Sequence, residues 1–276
     1  CKKKDKTQIW KVYGKRIGKF KKPGMCRVPA NVRLNDAFFT RAHNAYEHKH
    51  FKHFADAIKK WNVLEIDLTP NKKGVWVSHA VNKMENNCGG VRLTRCLERC
   101  TTGNSTCETK CFKASKGNKG FRACLEDLRR YHANNKNHLP KMVVLNLKLS
   151  HGLAPMKFTT AQMKFVNKAI EDVLGTERLY RPIDRRSSYA NMAKALKASL
   201  WPTLDDLRGK FVFLINAGPA LPAMPHANKT LSRYIDEFGY RAPGFVCPFP
   251  RDRDDLVKRK KWKHIENNSR HIACIT

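Results

Sequence analysis

The chain has 276 residues, a length that suits one large domain or two small ones. Its 55 Lys and Arg against 23 Asp and Glu give a formal net charge of +32, which predicts attraction to polyanions such as nucleic acid, anionic lipid or acidic glycans. Hydrophobic residues make up 41% of the chain, enough for a core, and no apolar run reaches the roughly 18 residues of a transmembrane segment.

The amino-terminal region is rich in lysine and begins at Cys1 rather than at Met. We interpret the chain as a mature protein whose signal peptide has been removed, and we expect it to be secreted. Residues 1–30 are predicted to form a basic arm, and residues 31–276 a single domain. Sequons at Asn104, Asn228 and Asn267 fit an extracytoplasmic route and predict a glycoprotein.

Short apolar runs that predict strands recur along the domain. They cover residues 37–43, 63–69, 75–80, 142–149, 211–216, 244–249 and 271–275. Between several of them, helical spacing of apolar residues predicts helices at 48–60, 121–132 and 158–174, the last opened by a threonine cap. Strands alternating with helices predict an α/β fold with a parallel sheet, and seven or eight strands in about 240 residues favour a closed TIM-type (β/α)8 barrel.

Ten cysteines, an even number in a chain with secretory features, predict disulfides. Four of them, within residues 96–111, follow a C-x3-C, six-residue gap, C-x3-C pattern that places each pair of thiols on one face of a helix. Pairing these four in nested order gives the bridges Cys96–Cys111 and Cys100–Cys107. Cys88–Cys124 would then close the base of the hairpin, which leaves Cys1–Cys26 and Cys247–Cys274 for the two ends of the chain. We therefore expect a disulfide-stapled helical hairpin over 84–124, inserted after the third strand; a zinc site is less favoured, since zinc knuckles prefer C-x2-C.

The stretch RAHNAYEHKHFKHF, residues 41–54, carries four histidines. Histidine is both a common general acid–base group and a common metal ligand. His43 ends the first predicted strand and is followed by Asn44, whereas His48, His50 and His53 lie in or just before a helix. We expect His43 to be the functional one and the other three only to add positive charge.

Two further strands carry polar residues inside apolar runs. Glu65 and Asp67 are two apart on the second strand and therefore point to the same face, and His79 ends the third strand. If that face is the barrel interior near its carboxyl-terminal mouth, the two carboxylates require a cation or a basic partner. The alternative is that both carboxylates face solvent.

Taken together, H-N after the first strand, L-E-x-D in the second and a lone H after the third resemble the phosphatidylinositol-specific phospholipase C-like phosphodiesterase superfamily. YRPIDRR (180–186) and WPTLDDLRGKFVFLIN (201–216) look like the stretch that secreted, calcium-dependent-type members carry before their sixth strand. The likeness covers residues 35–275, and it implies a phosphoric diester hydrolase on a phospholipase C-like barrel.

The resemblance implies roles for particular residues. His43 would stabilise the charge that develops on the scissile phosphate, and His79 would protonate the leaving oxygen or accept a proton. Asn44, Glu65 and Asp67 would ligate one Ca²⁺ or Mg²⁺ ion through oxygen atoms.

Lys148 is a departure from the family pattern, because calcium-dependent members place a metal-binding Glu at this point of the fourth strand. A lysine cannot ligate a metal there. We expect Asn146 to complete the metal site and Lys148 to contact phosphate as a catalytic cation. In metal-free bacterial relatives a basic side chain replaces the metal altogether, and that alternative stays open.

The substrate is the remaining question. The resemblance favours a phosphoinositide or another anionic phospholipid head group, and the +32 charge would also serve an extracellular nuclease that cleaves RNA or DNA. A third alternative is a non-catalytic, basic polyanion-binding protein or toxin. We expect a monomer.

Overall fold

The structure is a computed structural model, and the elements below are those of the residues it describes. These residues are 11–12, 15–16, 31–37, 39, 41–71, 74–79, 86–89, 106–107, 118–151, 154–155, 157–189, 194–195, 201–218 and 224–247. The helices are α1 (Phe54–Lys60), α2 (Asn118–Asn134), α3 (Thr160–Leu174), α4 (Pro182–Arg186) and α5 (Met224–Phe238). Among these described helices, none combines the length and the hydropathy that a bilayer crossing requires.

Six strands form the main sheet. They are β1 (Arg41–Ala42), β2 (Val63–Asn71), β3 (Gly74–Val77), β4 (Lys141–Lys148), β5 (Phe211–Gly218) and β6 (Gly244–Val246). The order is β6–β5–β4–β2–β1 with all neighbours parallel, and β3 pairs antiparallel with β2. The predicted parallel sheet with intervening helices is thus confirmed. The predicted strand at 271–275 lies outside the described residues.

The sheet has two apolar faces, because successive side chains of a strand point to opposite sides. On one face Leu64, Leu145 and Phe213 pack in a cluster that includes the helical residues Phe54 and Phe121. The opposite face, which we call the inner face, carries a second cluster, and the strand residues in it are Val63, Met142, Val144, Val212, Leu214 and Phe245. Glu65 and Asp67 alternate in phase with Val63, so both carboxylates lie on the inner face.

Three predicted elements differ from the structure. The first strand covers Arg41–Ala42 rather than 37–43, since among the described residues of that range these two pair with β2. The helix predicted at 48–60 begins at Phe54, because residues 44–50 form turns closed by bonds such as Glu47 N donating to Asn44 O over 2.9 Å.

The third strand runs antiparallel to the second rather than parallel to it. Only two residues, 72–73, separate β2 from β3, and a parallel crossover needs about a dozen residues or more. The pair is therefore a hairpin in which Leu68 lies opposite Val77.

One predicted disulfide is confirmed, because Cys88 and Cys124 are bonded to each other. Cys107 is also disulfide-bonded, which agrees with a bridge at this cysteine but does not test its predicted pairing with Cys100. Cys247 carries a thiol, so the predicted Cys247–Cys274 bridge is not confirmed. The remaining cysteines of the predicted bridges lie outside the described residues, so those pairings stay predictions. Most of the basic arm and of the 84–124 insertion lies there too.

His138 gives a first testable prediction, on acid stability. Its ring is buried against Tyr131 and Phe211, and burial lowers its pKa to about 4, assisted by the nearby charges of His132 and Lys141. Because an unfolded histidine titrates near 6.5, the unfolded state binds more protons than the folded state between pH 6.5 and 4. We expect the free energy of unfolding, measured with urea, to fall by on the order of 3 kcal/mol across this window.

His138→Gln is the matched control, because glutamine has no titrating ring. The stability difference between wild type and this variant should change between pH 7 and pH 4. A difference that is constant across these pH values would contradict the assignment.

Candidate active site

The carboxyl-terminal ends of the central strands bring polar side chains into one row on the inner face. Asp67 on β2 lies opposite Asn146 on β4, and Asn146 lies opposite Asn216 on β5. Their exposed fractions are 0%, 8% and 2%, so the row is buried. Lys148 is two residues beyond Asn146 on the same face, nearer the rim, with 19% of its side chain exposed.

The Asp67 carboxylate is the centre of this row and accepts hydrogen bonds from three side chains. Asn146 Nδ2 donates to Oδ1 over 2.9 Å, and Tyr46 OH donates to Oδ2 over 2.9 Å. Lys148 Nζ lies 3.0 Å from the same Oδ2 and forms an ion pair. A fully buried carboxylate needs such partners, and Lys148 supplies the opposite charge.

Glu65 lies one layer below Asp67 and gathers residues from the end of β1. Its Oε2 lies 3.4 Å from His43 Nε2 and 3.9 Å from Arg41 Nε, and the backbone N–H of Asn44 donates to it over 3.4 Å. The imidazole of His43 is 63% exposed, whereas Glu65 is buried. The pair therefore joins a buried carboxylate to an imidazole that solvent and substrate can reach.

Asn44 is held in an unusual backbone conformation that orients its side chain. Its φ of +49° lies in the left-handed region, which Asn tolerates better than most residues. Asn44 Nδ2 donates to Glu47 Oε1 over 3.1 Å, and its buried Oδ1 has no hydrogen-bond partner in the described ranges. Glu47 thereby directs the carbonyl oxygen of Asn44 away from itself.

His79 reaches the same edge of the sheet through the β2–β3 hairpin. Ser78 N donates to Asp67 O over 3.1 Å, and Thr69 Oγ1 donates to Ser78 O over 2.8 Å. These bonds fix the backbone that precedes His79 beside the end of β2. The His79 side chain is exposed.

Every predicted site residue is described, and the structure groups them as follows. Asn44, Glu65 and His43 form one contact group, and Asp67, Asn146 and Lys148 form another, one layer higher. The alternative in which Glu65 and Asp67 face solvent is excluded by their burial. The other histidines of the 41–54 stretch lie apart: His50 Nε2 is 3.6 Å from Glu47 Oε2, and His48 Nδ1 is 3.3 Å from Lys52 O.

Sequence reasoning missed three residues that shape the site. Tyr46 is fully buried, and burial together with the nearby Asp67 raises the pKa of its hydroxyl, so it remains a hydrogen-bond donor. Glu47 orients Asn44, and Asn216 extends the buried row with an Oδ1 that accepts no hydrogen bond from any described residue. A polar residue within the apolar run FVFLIN was a signal for Asn216; the contact between Tyr46 and Asp67 spans 21 residues and had none.

The donor set suits a hard divalent cation. Carboxylate and amide oxygens are the ligands that Ca²⁺ and Mg²⁺ prefer. The Oδ1 atoms of Asn44, Asn146 and Asn216 are buried, and none of them has a hydrogen-bond partner among the residues that the structure describes. In the described part of the chain, no three His, Cys, Asp or Glu side chains gather as a metal cluster. Lys148 is the one feature of the row that opposes a cation, since it already pairs with Asp67.

Comparisons with known proteins identify the family of the chain and its fold. The family model for phosphoinositide phospholipase C, Ca²⁺-dependent, matches residues 30–235. A calcium-dependent phosphoinositol-specific phospholipase C from the Gram-negative bacterium Pseudomonas sp. superposes with a TM-score of 0.59 at 20% identity, over 82% of this chain and 70% of that one. A Ca²⁺-dependent phosphatidylinositol-specific phospholipase C from Streptomyces antibioticus gives 0.59 and 22%, over 78% and 66%. No curated protein sequence matches significantly.

At 20% and 22% sequence identity, the similarity to these solved structures shows the fold alone. They show that the sheet and its helices have the fold of phospholipase C-like proteins, as the motifs predicted, while the closure of the sheet into an eight-stranded barrel stays a prediction.

Proposed function

Because the chain belongs to the Ca²⁺-dependent phosphoinositide phospholipase C family, and is thus a phosphodiesterase, we propose that it cleaves phosphatidylinositol at the bond between phosphate and diacylglycerol. The observation that carries this proposal is the His43–Glu65 pair, which sets a solvent-accessible imidazole against a buried carboxylate beside the polar row. The family is Ca²⁺-dependent, so a divalent cation belongs to the proposed chemistry.

The proposed reaction is an attack by a neighbouring inositol hydroxyl on phosphorus. One P–O bond forms to the ring, and the P–O bond to diacylglycerol breaks, which yields a cyclic phosphodiester. The proton of the attacking hydroxyl passes to the His43–Glu65 pair, and His79 donates a proton to the departing diacylglycerol oxygen. His43 also stabilises the charge on the phosphoryl oxygens; a role of this kind is worth on the order of 10²–10⁴-fold.

The residues that would hold the cation are Asn44, Glu65, Asp67 and Asn146, and bound Ca²⁺ would polarise the phosphoryl oxygen. Asn216 adds a further buried oxygen to the same row. Tyr46 hydrogen-bonds Asp67, and Glu47 hydrogen-bonds Asn44. These neighbouring side chains orient the oxygen atoms that would ligate the cation.

The charge of the chain supports action at a membrane surface. With a formal net charge of +32, the protein would concentrate on anionic lipid surfaces, where phosphatidylinositol resides. We also propose an extracellular setting, which the Cys88–Cys124 disulfide and the disulfide-bonded Cys107 support, because disulfides persist in oxidising compartments.

The same charge keeps a nuclease as the second candidate function. Each phosphate contact by Lys or Arg releases counterions and strengthens nucleic-acid binding, and RNA carries a 2′-hydroxyl that could attack as the inositol hydroxyl does. The family assignment favours the lipid.

A single comparison tests the function. We expect purified protein with Ca²⁺ to release diacylglycerol from phosphatidylinositol vesicles and to leave RNA and DNA intact, and we expect EDTA to abolish the release. Mass spectrometry of the lipid products and gel analysis of the nucleic acids measure both outcomes. Cleavage of RNA but not of lipid would move the assignment to a nuclease, and cleavage of none of the three would refute both.

A further inference from the structure

An ion pair between Lys148 and Asp67 lies in the middle of the proposed cation site. Asp67 is fully buried, and its two oxygens accept from Tyr46, Asn146 and Lys148. Lys148 Nζ, at 3.0 Å from Oδ2, is the charged member of the three. The carboxylate that a cation would need is therefore already neutralised by a cation of the chain itself.

The surrounding oxygens nevertheless have the character of a cation site. The Oδ1 atoms of Asn44, Asn146 and Asn216 are buried and accept no hydrogen bond within the described part of the chain. Buried carbonyl oxygens without partners are unfavourable, and a hard cation would satisfy them. The row thus offers oxygen ligands, while its central carboxylate is occupied by Lys148.

The charges around the row are balanced before any ion binds. Glu65 lies next to Arg41 and His43, and Asp67 is paired with Lys148. A divalent ion at Asp67 would stand beside the ammonium of Lys148 in a buried region, where like charges repel strongly. Both cations cannot share Oδ2.

We propose that Lys148 is an intramolecular competitor of Ca²⁺ for Asp67. Its ammonium holds the carboxylate until Ca²⁺ displaces it, and the displaced side chain then swings to the rim, where it contacts the phosphate of the substrate. The contact of Lys148 with the substrate phosphate rests on the proposed function, whereas the competition with Ca²⁺ does not. A lysine suits this exchange because its charge is carried on a flexible four-carbon stem, and 19% of the Lys148 side chain is already exposed.

Calcium titration of a charge-removing variant tests the competition without any catalytic readout. We expect Lys148→Met to bind Ca²⁺ at least about tenfold more tightly than wild type by isothermal titration calorimetry, because the competing ammonium is gone and Asp67 keeps Tyr46 and Asn146. Lys168→Met is the matched control: it removes one lysine charge from an exposed ion pair with Asp172 on α3, and we expect unchanged Ca²⁺ affinity.

Amine labelling of the wild-type protein provides a second readout that does not require a variant to fold. Lys148 should react with an acylating reagent faster in saturating Ca²⁺ than in EDTA, as measured by peptide mass spectrometry, whereas Lys168 should react equally in both. Equal or weaker Ca²⁺ binding by Lys148→Met, or labelling of Lys148 that Ca²⁺ does not change, would overturn the proposal.

These outcomes are separable from those of the lipid assay. A wild-type protein that cleaves phosphatidylinositol while Lys148→Met shows no gain in Ca²⁺ affinity refutes the competition and keeps the function. A gain in affinity with no lipid cleavage supports the competition and refutes the function.

Discussion

Replacing His43 by Ala is expected to lower kcat on phosphatidylinositol vesicles by about 10²–10⁴-fold, with little change in KM. The reason is that its imidazole, 3.4 Å from Glu65 Oε2 and 63% exposed, is the group best placed to accept a proton from a bound hydroxyl and to face the phosphate. Because the ring is exposed, its removal should leave the free energy of unfolding nearly unchanged. Steady-state kinetics and urea unfolding measure the two quantities.

His48→Ala is the matched control within the same stretch. His48 is exposed and lies beside Lys52 O, away from Glu65 and Asp67, so its removal should leave kcat near the wild-type value. His79→Ala should resemble His43→Ala, since it removes the proton donor to the leaving oxygen. Full activity in either His43→Ala or His79→Ala would contradict the two-histidine mechanism even though the fold is right.

The location of Glu65 and Asp67 on the same face of a strand was predictable, because the alternation of side chains along a strand is a local property. Two residues that are two apart on one strand must share a face. The sequence left open whether that face is inward or toward solvent, and the structure places it inward. The strand cores were predictable for the same reason, and the cap of α3 followed from Thr159 and Gln162, which form a capping box. Local patterns of this kind can be recognised from residues that are only a few positions apart in the sequence.

Contacts between distant residues were not predictable from local patterns. Tyr46 meets Asp67 because the turn that carries it follows β1, which pairs with β2. Asn216 joins the row because parallel pairing sets the register of β2, β4 and β5. The direction of β3 could have been predicted, since a two-residue connection forbids a parallel crossover. The motif comparison identified Lys148 as unusual, but its contact with Asp67 depended on that same register.

Asp67→Asn is expected to have the largest combined effect, because it removes the one charge around which the row is organised. The ammonium of Lys148 would stay mostly buried without the Asp67 carboxylate that pairs with it. One carboxylate oxygen would also become an amide NH₂ group, which would face a hydrogen-bond donor such as Asn146 Nδ2 and could not accept from it. We expect the free energy of unfolding to fall by about 3 kcal/mol and phosphatidylinositol cleavage to fall by roughly 10³-fold. Urea unfolding and steady-state kinetics measure the two losses.

The double variant Asp67→Asn/Lys148→Met separates the two losses by removing both charges at once. Breaking a buried ion pair from one side leaves an uncompensated charge, whereas neutralising both sides can be nearly neutral, so most of the lost stability should return. Activity should stay low, because the carboxylate is still absent. A parallel cycle on the exposed Lys168–Asp172 pair should give a much smaller coupling energy, since solvent screens that pair. Equal coupling in the two cycles would mean that Lys148 does not compensate the buried charge of Asp67.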